Sequence, residues 1–297
     1  MGYLLDFIVI LLGYIFGRIF KPKSYIEPIF ALALLFFIFF CSAYAASDIL
    51  KFQNIFSFIY KVLILSFGVC LFSYVFCALF YEKNKKITLG VSKKNKIMEI
   101  IKIILIYVVI ISVFLGGIIA YKFNVIALSF ALKAQHNLIL IILFLIGILI
   151  SSQKLKKISW DDLKLPFLMI LANSLFGLIM LLVWKDSLAL LSGFGWASLS
   201  AAMISQKLGA FIAVQALMVD MLRGMFSILF IQFLSRSYPE AAISTTGVLS
   251  CDAFLPLIQK YSGTEYMLKA FKTGVLLSLF SPLNIFIAIY LTQRMTS

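Results

Sequence analysis

Long apolar runs, broken by short basic links, set the pattern of this chain. The runs lie near 2–20, 25–46, 54–81, 100–121, 136–152, 166–184, 187–205, 209–234, 241–260 and 266–292. About 20 apolar residues make a helix that crosses a bilayer, whereas a membrane β-barrel alternates apolar and polar positions over segments of about ten. Runs such as 100–120 and 138–150 show no such alternation. The pattern predicts an all-α, polytopic membrane protein of about 8–10 transmembrane segments. It divides into an N-terminal three-helix unit, 1–95, and a core, 96–297, that contains the irregular seventh and ninth runs.

The seventh and ninth runs are irregular. Leu191-Ser192-Gly193-Phe194-Gly195-Trp196-Ala197-Ser198-Leu199-Ser200 is rich in Gly and Ser, and so is Ile243-Ser244-Thr245-Thr246-Gly247-Val248-Leu249-Ser250-Cys251-Asp252, with Pro256 just beyond. Irregular backbone at membrane depth persists only where protein or a wet cavity satisfies its polar groups. Both runs therefore read as broken or re-entrant helices, with Gly193, Gly195, Ser198, Gly247 and Pro256 forming the breaks. A short echo points the same way: Leu12-Gly13-Tyr14-Ile15-Phe16-Gly17 resembles Leu115-Gly116-Gly117-Ile118-Ile119-Ala120. The two copies start three crossings apart, as in the inverted repeats of transporters.

Basic residues are shared unevenly among the links. Arg18, Lys21 and Lys23 follow the first run, and Lys83, Lys85, Lys86, Lys93, Lys94, Lys96 and Lys102 crowd the link from third to fourth. Lys154, Lys156, Lys157 and Lys164 follow the fifth, Lys207 the seventh, and Lys260, Lys269 and Lys272 surround the last link. The alternate links hold mainly Lys51, Lys122, Lys133, Lys185 and Arg236. The excess of Lys and Arg makes the first set cytoplasmic and places both termini outside. Re-entrant segments would remove crossings in pairs and leave the termini where they are.

Composition agrees. Of 297 residues, 63% are hydrophobic and 13% charged, the mean hydropathy is +1.08, and 26 Lys and Arg against 12 Asp and Glu give a net charge of +14. So few charges cannot cover so much apolar surface in water, which excludes a soluble enzyme, a disordered chain and a coiled coil. A pI near 9.6 often signals nucleic acid, but here the basic residues orient the protein in a bilayer instead. Cys41, Cys70, Cys77 and Cys251 have no metal or disulfide spacing and read as small buried hydrophobes. Asp6 stands where a signal peptide would carry basic residues, and Ala43-Tyr44-Ala45 lies too far in for a cleavage site, so no removable signal is expected.

Acids at bilayer depth are the candidate chemistry, because each costs about 2.5–3.5 kcal/mol on insertion scales and persists when paired, hydrated or used. Three stand out. Asp48 ends the small-residue stretch Ser42-Ala43-Tyr44-Ala45-Ala46-Ser47 and reads either as an interfacial helix end or as a site that a substrate can approach closely. Asp220 and Arg223, three residues apart, share a helical face and read either as a buried pair or as counter-charges that exchange partners. Asp252 lies in a polar break, where freed carbonyls and a carboxylate make a cation site. Trp196 walls a cavity or packs. Glu82, Glu99, Asp161, Asp162, Asp186, Glu240 and Glu265 sit at segment ends or in links and receive no role. His136 reads as interfacial, and no set of residues suggests a metal, an ATP-binding loop or a hydrolase. No cofactor is expected.

Several stretches together resemble the lysine exporter (LysO) family. Ser192-Gly193-Phe194-Gly195-Trp196-Ala197-Ser198-Leu199-Ser200 is similar to that family's Gly-Phe-Gly-Trp-Tyr-Ser-Leu-Ser stretch, and Asp220-Met221-Leu222-Arg223 to its Asp/Asn-Leu-Ala/Leu-Arg. Val248–Pro256 resembles its Ser-Met-Asp-x-x-Leu-Pro signature, the tail Leu276–Pro282 continues the match, and the small-residue run to Asp48 fits as well. The resemblance implies an inner-membrane exporter of L-lysine and toxic lysine analogues, distantly related to cation/proton antiporters. The family's Glu after the motif Arg is Gly224 here, its Tyr after the Trp is Ala197, and its Asn before the Asp is Val219.

The resulting expectation is a secondary exporter of L-lysine or a related cationic amino acid by proton antiport. Asp48 and Asp252 would bind the ammonium or a proton, Asp220 and Arg223 would balance charge, and Trp196 would line the site. The alternatives are a monovalent cation/proton antiporter, an exporter of another organic solute, and a membrane scaffold without transport.

Overall fold

The computed structural model describes residues 2–20, 26–50, 52–82, 94–152, 159–251 and 254–296. They form α1 (Gly2–Phe20), α2 (Ile26–Ile49), α3 (Phe52–Ala78), α4 (Lys94–Lys122), α5 (Leu128–Ser152), α6 (Trp160–Met180), α7 (Ser187–Leu191), α8 (Ala197–Leu208), α9 (Ala210–Leu234), α10 (Pro239–Thr246), a 3-10 turn (Gly247–Cys251), α11 (Leu255–Ser262) and α12 (Thr264–Thr296). Among the described residues six helices are long and apolar enough to cross a membrane: α2, α3, α5, α6, α9 and α12, with shorter apolar stretches at Ile8–Phe20 in α1 and Val108–Lys122 in α4. Their outward faces carry large apolar side chains such as Phe56, Val75, Phe167 and Phe233, as expected where lipid rather than water covers the bundle.

Pairings between side chains set the direction of each helix. α3 and α6 run antiparallel: Ser73 Oγ bonds Asn173 Oδ1 at 3.1 Å, and Lys164 Nζ reaches the Phe80 carbonyl at 3.1 Å. α9 runs parallel to α3, since Phe58 meets Phe211, Phe67 meets Phe226, and the Cys70 thiol faces the Arg223 carbonyl. We call the end where α3 finishes the first end, and the end where it starts the second.

α1 and α5 lie parallel and close because glycines remove the side chains between them. A Cβ on Gly13 would strike the backbone at Phe144 and sit 3.2 Å from Gly147 Cα, and one on Gly17 would strike Ser151. α4 packs on α2 in the same way, through Gly117 against Phe39, Ser42 and Ala43. The packing is thus exchanged between α1–α2 and α4–α5: the first helix of each pair rests on the second helix of the other. The opposite directions of α1 and α4 fit an inverted repeat, and Gly13, Gly17 and Gly117 of the two echoed stretches lie at these contacts.

Candidate functional site

The two irregular segments fold as hairpins. α7 starts at the second end, where Asp186 meets Lys61 near the start of α3. α8 returns there: Gln293, near the end of α12, bonds the Lys207 carbonyl at 3.4 Å, and Gly209 leads straight into α9. α10 starts at the opposite end, where Glu240 accepts from Lys269 in the first turns of α12 at 2.9 Å, and α11 returns to the start of α12. Each broken helix therefore has both feet at one end of the bundle. This moves two basic residues relative to a reading in which both segments cross. Lys207 lies at the second end and Arg236, after α9, at the first, because the α7–α8 hairpin turns back and reverses the direction of α9. The exchange leaves the excess of basic residues on the first end.

The hairpin tips meet inside the bundle. The Val248 N–H donates to the Phe194 carbonyl at 2.8 Å. Gly247, at φ +63°, leaves no room for a side chain, because a Cβ would fall on that same carbonyl oxygen. Phe194 itself holds φ +52° and is fully buried, and Gly195, at φ +88°, turns the chain into α8. Trp196 is partly buried at the start of α8 and packs against two buried hydrophobic clusters. Ser198 is buried in the first turn of α8. Pro256 occupies the first turn of α11, where a missing N–H breaks no helical bond.

A broken helix presents bare N–H groups at one end and bare carbonyls at the other. α9 answers both. Asp220 accepts from the Gly195 N–H at 2.9 Å and from Ser200 Oγ at 2.7 Å, at the positive start of α8. Arg223 donates from Nε to the Thr245 carbonyl at 2.8 Å and from a terminal nitrogen to the Ser244 carbonyl at 3.1 Å, at the negative finish of α10. Both side chains are 1% exposed. Gly193 makes this possible, since a Cβ there would collide with Asp220 Oδ2 and come within 2.9 Å of Ser200 Oγ. The second tip also leans on α12: Ser250 Oγ bonds the Ala270 carbonyl at 3.0 Å, and Gly274 lets the turn approach.

The structure thus gathers Gly193, Gly195, Trp196, Ser198, Asp220, Arg223 and Gly247. Gly224 is buried beside Arg223. Asp252 lies outside the described residues, and so do the side chains of Asp48 and His136. The α2 backbone still places Asp48. Cys41 touches the Ala210 carbonyl at the start of α9, so Asp48 stands toward the second end, about 25 Å along the axis from Asp220 at 1.5 Å per residue.

Two charged groups escaped the sequence reading. Lys61, inside the third apolar run, is buried and donates to both Asp186 carboxylate oxygens at 2.6 Å and to Gln215 Oε1 at 3.1 Å. A lysine within an apolar run was the available signal. At the first end, Asp161, Asp162, Glu240, Glu265, Lys269 and Lys272 line a pocket of about 310 Å³. Lys272 pairs with Asp162 at 2.7 Å and Lys269 with Glu240. Nearby, Lys164 and Lys269 each lie 4.7 Å from the Tyr81 ring centre. Burial, with Glu240 adding to it, raises the Tyr81 phenol above its usual range. These acids come from separate elements, and spacing alone does not reveal their meeting. Among the described residues no group of three or more His, Cys, Asp or Glu is placed to hold a metal.

Comparison with known proteins follows this geometry. The family described as "Lysine exporter LysO" matches residues 108–289. "Lysine exporter LysO" of Escherichia coli (strain K12) is 30% identical over 166 residues, which cover 53% of this chain and 56% of that protein. "Putative lysine exporter" of Haemophilus influenzae is 35% identical over 98 residues, 33% of this chain and 50% of that protein. The chain spans about half the length of the curated relatives it matches. No solved structure matches it significantly.

Proposed function

The chain belongs to the lysine exporter LysO family, and from that premise we propose that it is a secondary transporter exporting L-lysine or a related cationic amino acid, toxic lysine analogues included, across the bacterial inner membrane. The observation that carries the reading is the pair of hairpins that approach from opposite ends and meet tip to tip over the buried Asp220 and Arg223. Discontinuous helices that meet at mid-depth are a transporter's way of exposing peptide dipoles to a charged cargo. The first end is the cytoplasmic one by its basic links, and both termini are periplasmic. The pocket at that end holds four carboxylates and two ammonium groups, so it attracts a cation locally where the surrounding links repel it.

Coupling is by proton antiport. Outward movement of a cation works against a membrane potential worth about 2.3 kcal/mol per charge per 100 mV, and inward proton flow supplies the work. Asp48 and Asp252 are the acids assigned to ammonium or proton binding, and Asp220 with Arg223 holds the tips. One observation favours a second reading: Gly224 stands where the family carries Glu, which leaves one acid fewer for a dibasic cargo. The second reading is monovalent cation/proton exchange on the same fold.

Reconstituted protein separates the two. Lysine efflux from proteoliposomes accelerates under an opposing pH gradient, and Asp48→Asn and Asp252→Asn each abolish that acceleration. Cation flux with no lysine dependence selects the second reading. Lysine flux indifferent to the pH gradient removes the coupling.

A further inference from the structure

We propose that Lys61 is a resident competitor for the cargo, an alkylammonium that occupies an exchange site made by Asp186 and Gln215 and expels the cargo's side-chain ammonium at the second end. The inference rests on the export reading and adds to it a cargo-binding site and the step that empties it.

The site is built for a primary ammonium. Lys61 Nζ has three donors, and the structure supplies three acceptors, the two oxygens of Asp186 at 2.6 Å and Gln215 Oε1 at 3.1 Å. The side chains of Lys61 and Asp186 are only 9% and 17% exposed, and Gln215 is buried. A lysine in a membrane helix is costly, and an apolar contact would anchor a hairpin foot as well or better than a buried ion pair. The chosen group is the one that the cargo itself carries at the end of its side chain.

Position gives the exchange a consequence. Asp186 immediately precedes α7, at the foot of the first hairpin, whereas Lys61 belongs to α3 and Gln215 to α9. With Lys61 in place, the foot is tied to the long helices. When a cargo ammonium takes Asp186 and Gln215, that tie is transferred to the cargo. When Lys61 returns, the cargo loses its acceptors beside the exit. A tethered group competes at an effective concentration of about millimolar or more, so Lys61 prevents external lysine from holding the site.

The test uses the whole 297-residue chain in proteoliposomes, with external lysine in counterflow and norleucine as the probe that lacks a side-chain ammonium. Lys61→Gln lowers the half-saturating lysine concentration about tenfold or more, by removal of a millimolar competitor. It also slows turnover, because release loses its driver. Norleucine gains nothing. Lys61→Gln combined with Asp186→Asn restores weak lysine binding. Lys61→Arg, which keeps the charge and holds the carboxylate with two parallel bonds, raises the half-saturating concentration and serves as the readout if the Gln variant does not fold. A merely structural tie would lower activity in every variant without this split between affinity and turnover. Lysine half-saturation unchanged in both Lys61→Gln and Lys61→Arg, or an equal gain for norleucine, overturns the inference while wild-type lysine transport leaves the export reading standing. Absence of lysine binding and transport in wild type and variants alike overturns both.

Discussion

Gly247→Ala tests the meeting of the hairpin tips most directly. Gly247 has φ +63° and ψ −135°, a region essentially restricted to glycine, where an alanine costs about 1–3 kcal/mol. The new Cβ would also fall on the Phe194 carbonyl oxygen, with the carbonyl carbon at 2.7 Å. The tips must part, which breaks the bond from the Val248 N–H to that oxygen. Both groups are buried, so leaving them unpaired adds about 1–3 kcal/mol. Gly209→Ala is the internal control. Gly209 has φ +89° and ψ 166°, so it carries similar backbone strain, but a Cβ there meets nothing within 4 Å. Gly247→Ala should therefore exceed the control by about 1–3 kcal/mol. At about 2–4 °C per kcal/mol for a large domain, that is a further drop of several degrees in the melting temperature of detergent-solubilised protein. Lysine export should fall to background in Gly247→Ala and persist in Gly209→Ala. Equal melting temperatures and equal export in the two variants would refute the contact between the tips.

Two further outcomes follow from the geometry. Asp220→Asn keeps an acceptor for the Gly195 N–H but turns the two charge-assisted bonds at the start of α8 into neutral ones, a loss of about 1–3 kcal/mol read in the melting temperature; Arg223→Gln, which takes the charged donor from the Ser244 and Thr245 carbonyls, should add its own loss rather than rescue the first, and full rescue would mean that the two charges chiefly pair with each other. Single cysteines at positions 207 and 236, in a background without the native thiols, should react with membrane-impermeant reagents from opposite faces, position 207 together with position 122 and position 236 together with position 18. Labelling of position 207 on the same face as position 18 would mean that α7–α8 crosses the membrane.

The helical class, the two breaks and the residues at their tips were legible in the sequence because each has a local signal. Lipid demands long apolar runs, and Gly-Phe-Gly-Trp and Thr-Thr-Gly interrupt them. What was not legible depends on direction. A broken helix that crosses and one that returns have the same composition, and only a contact such as Gln293 to the Lys207 carbonyl shows which side α8 ends on. The partners of Asp220 and Arg223 were hidden for a related reason. Three residues apart on one helix, they look like a pair that neutralises itself, yet each binds peptide groups of a different hairpin. Lys61 was passed over because a single lysine does not interrupt a run, and Asp186 because a turn between two segments resembles a solvated loop.

The order of the two charges on α9 follows from the same directions. α9 runs from the second end to the first, so Asp220 faces the hairpin that arrives from the second end and Arg223 the hairpin that arrives from the first. The tips touch through Phe194 and Val248, so the two helix ends that need charge lie within one helical turn, and three residues at 1.5 Å each span about that distance. Exchanging Asp and Arg would place each against a helix end of its own sign. Separation of the hairpins is then electrically asymmetric. When the α8 start leaves α9, Asp220 loses the N–H and hydroxyl donors that balance it and stands as a bare carboxylate in a low-dielectric interior. A cation, whether an ammonium or a proton, is the species that meets that carboxylate at least cost, so this break suits a cationic cargo and disfavours an anionic one.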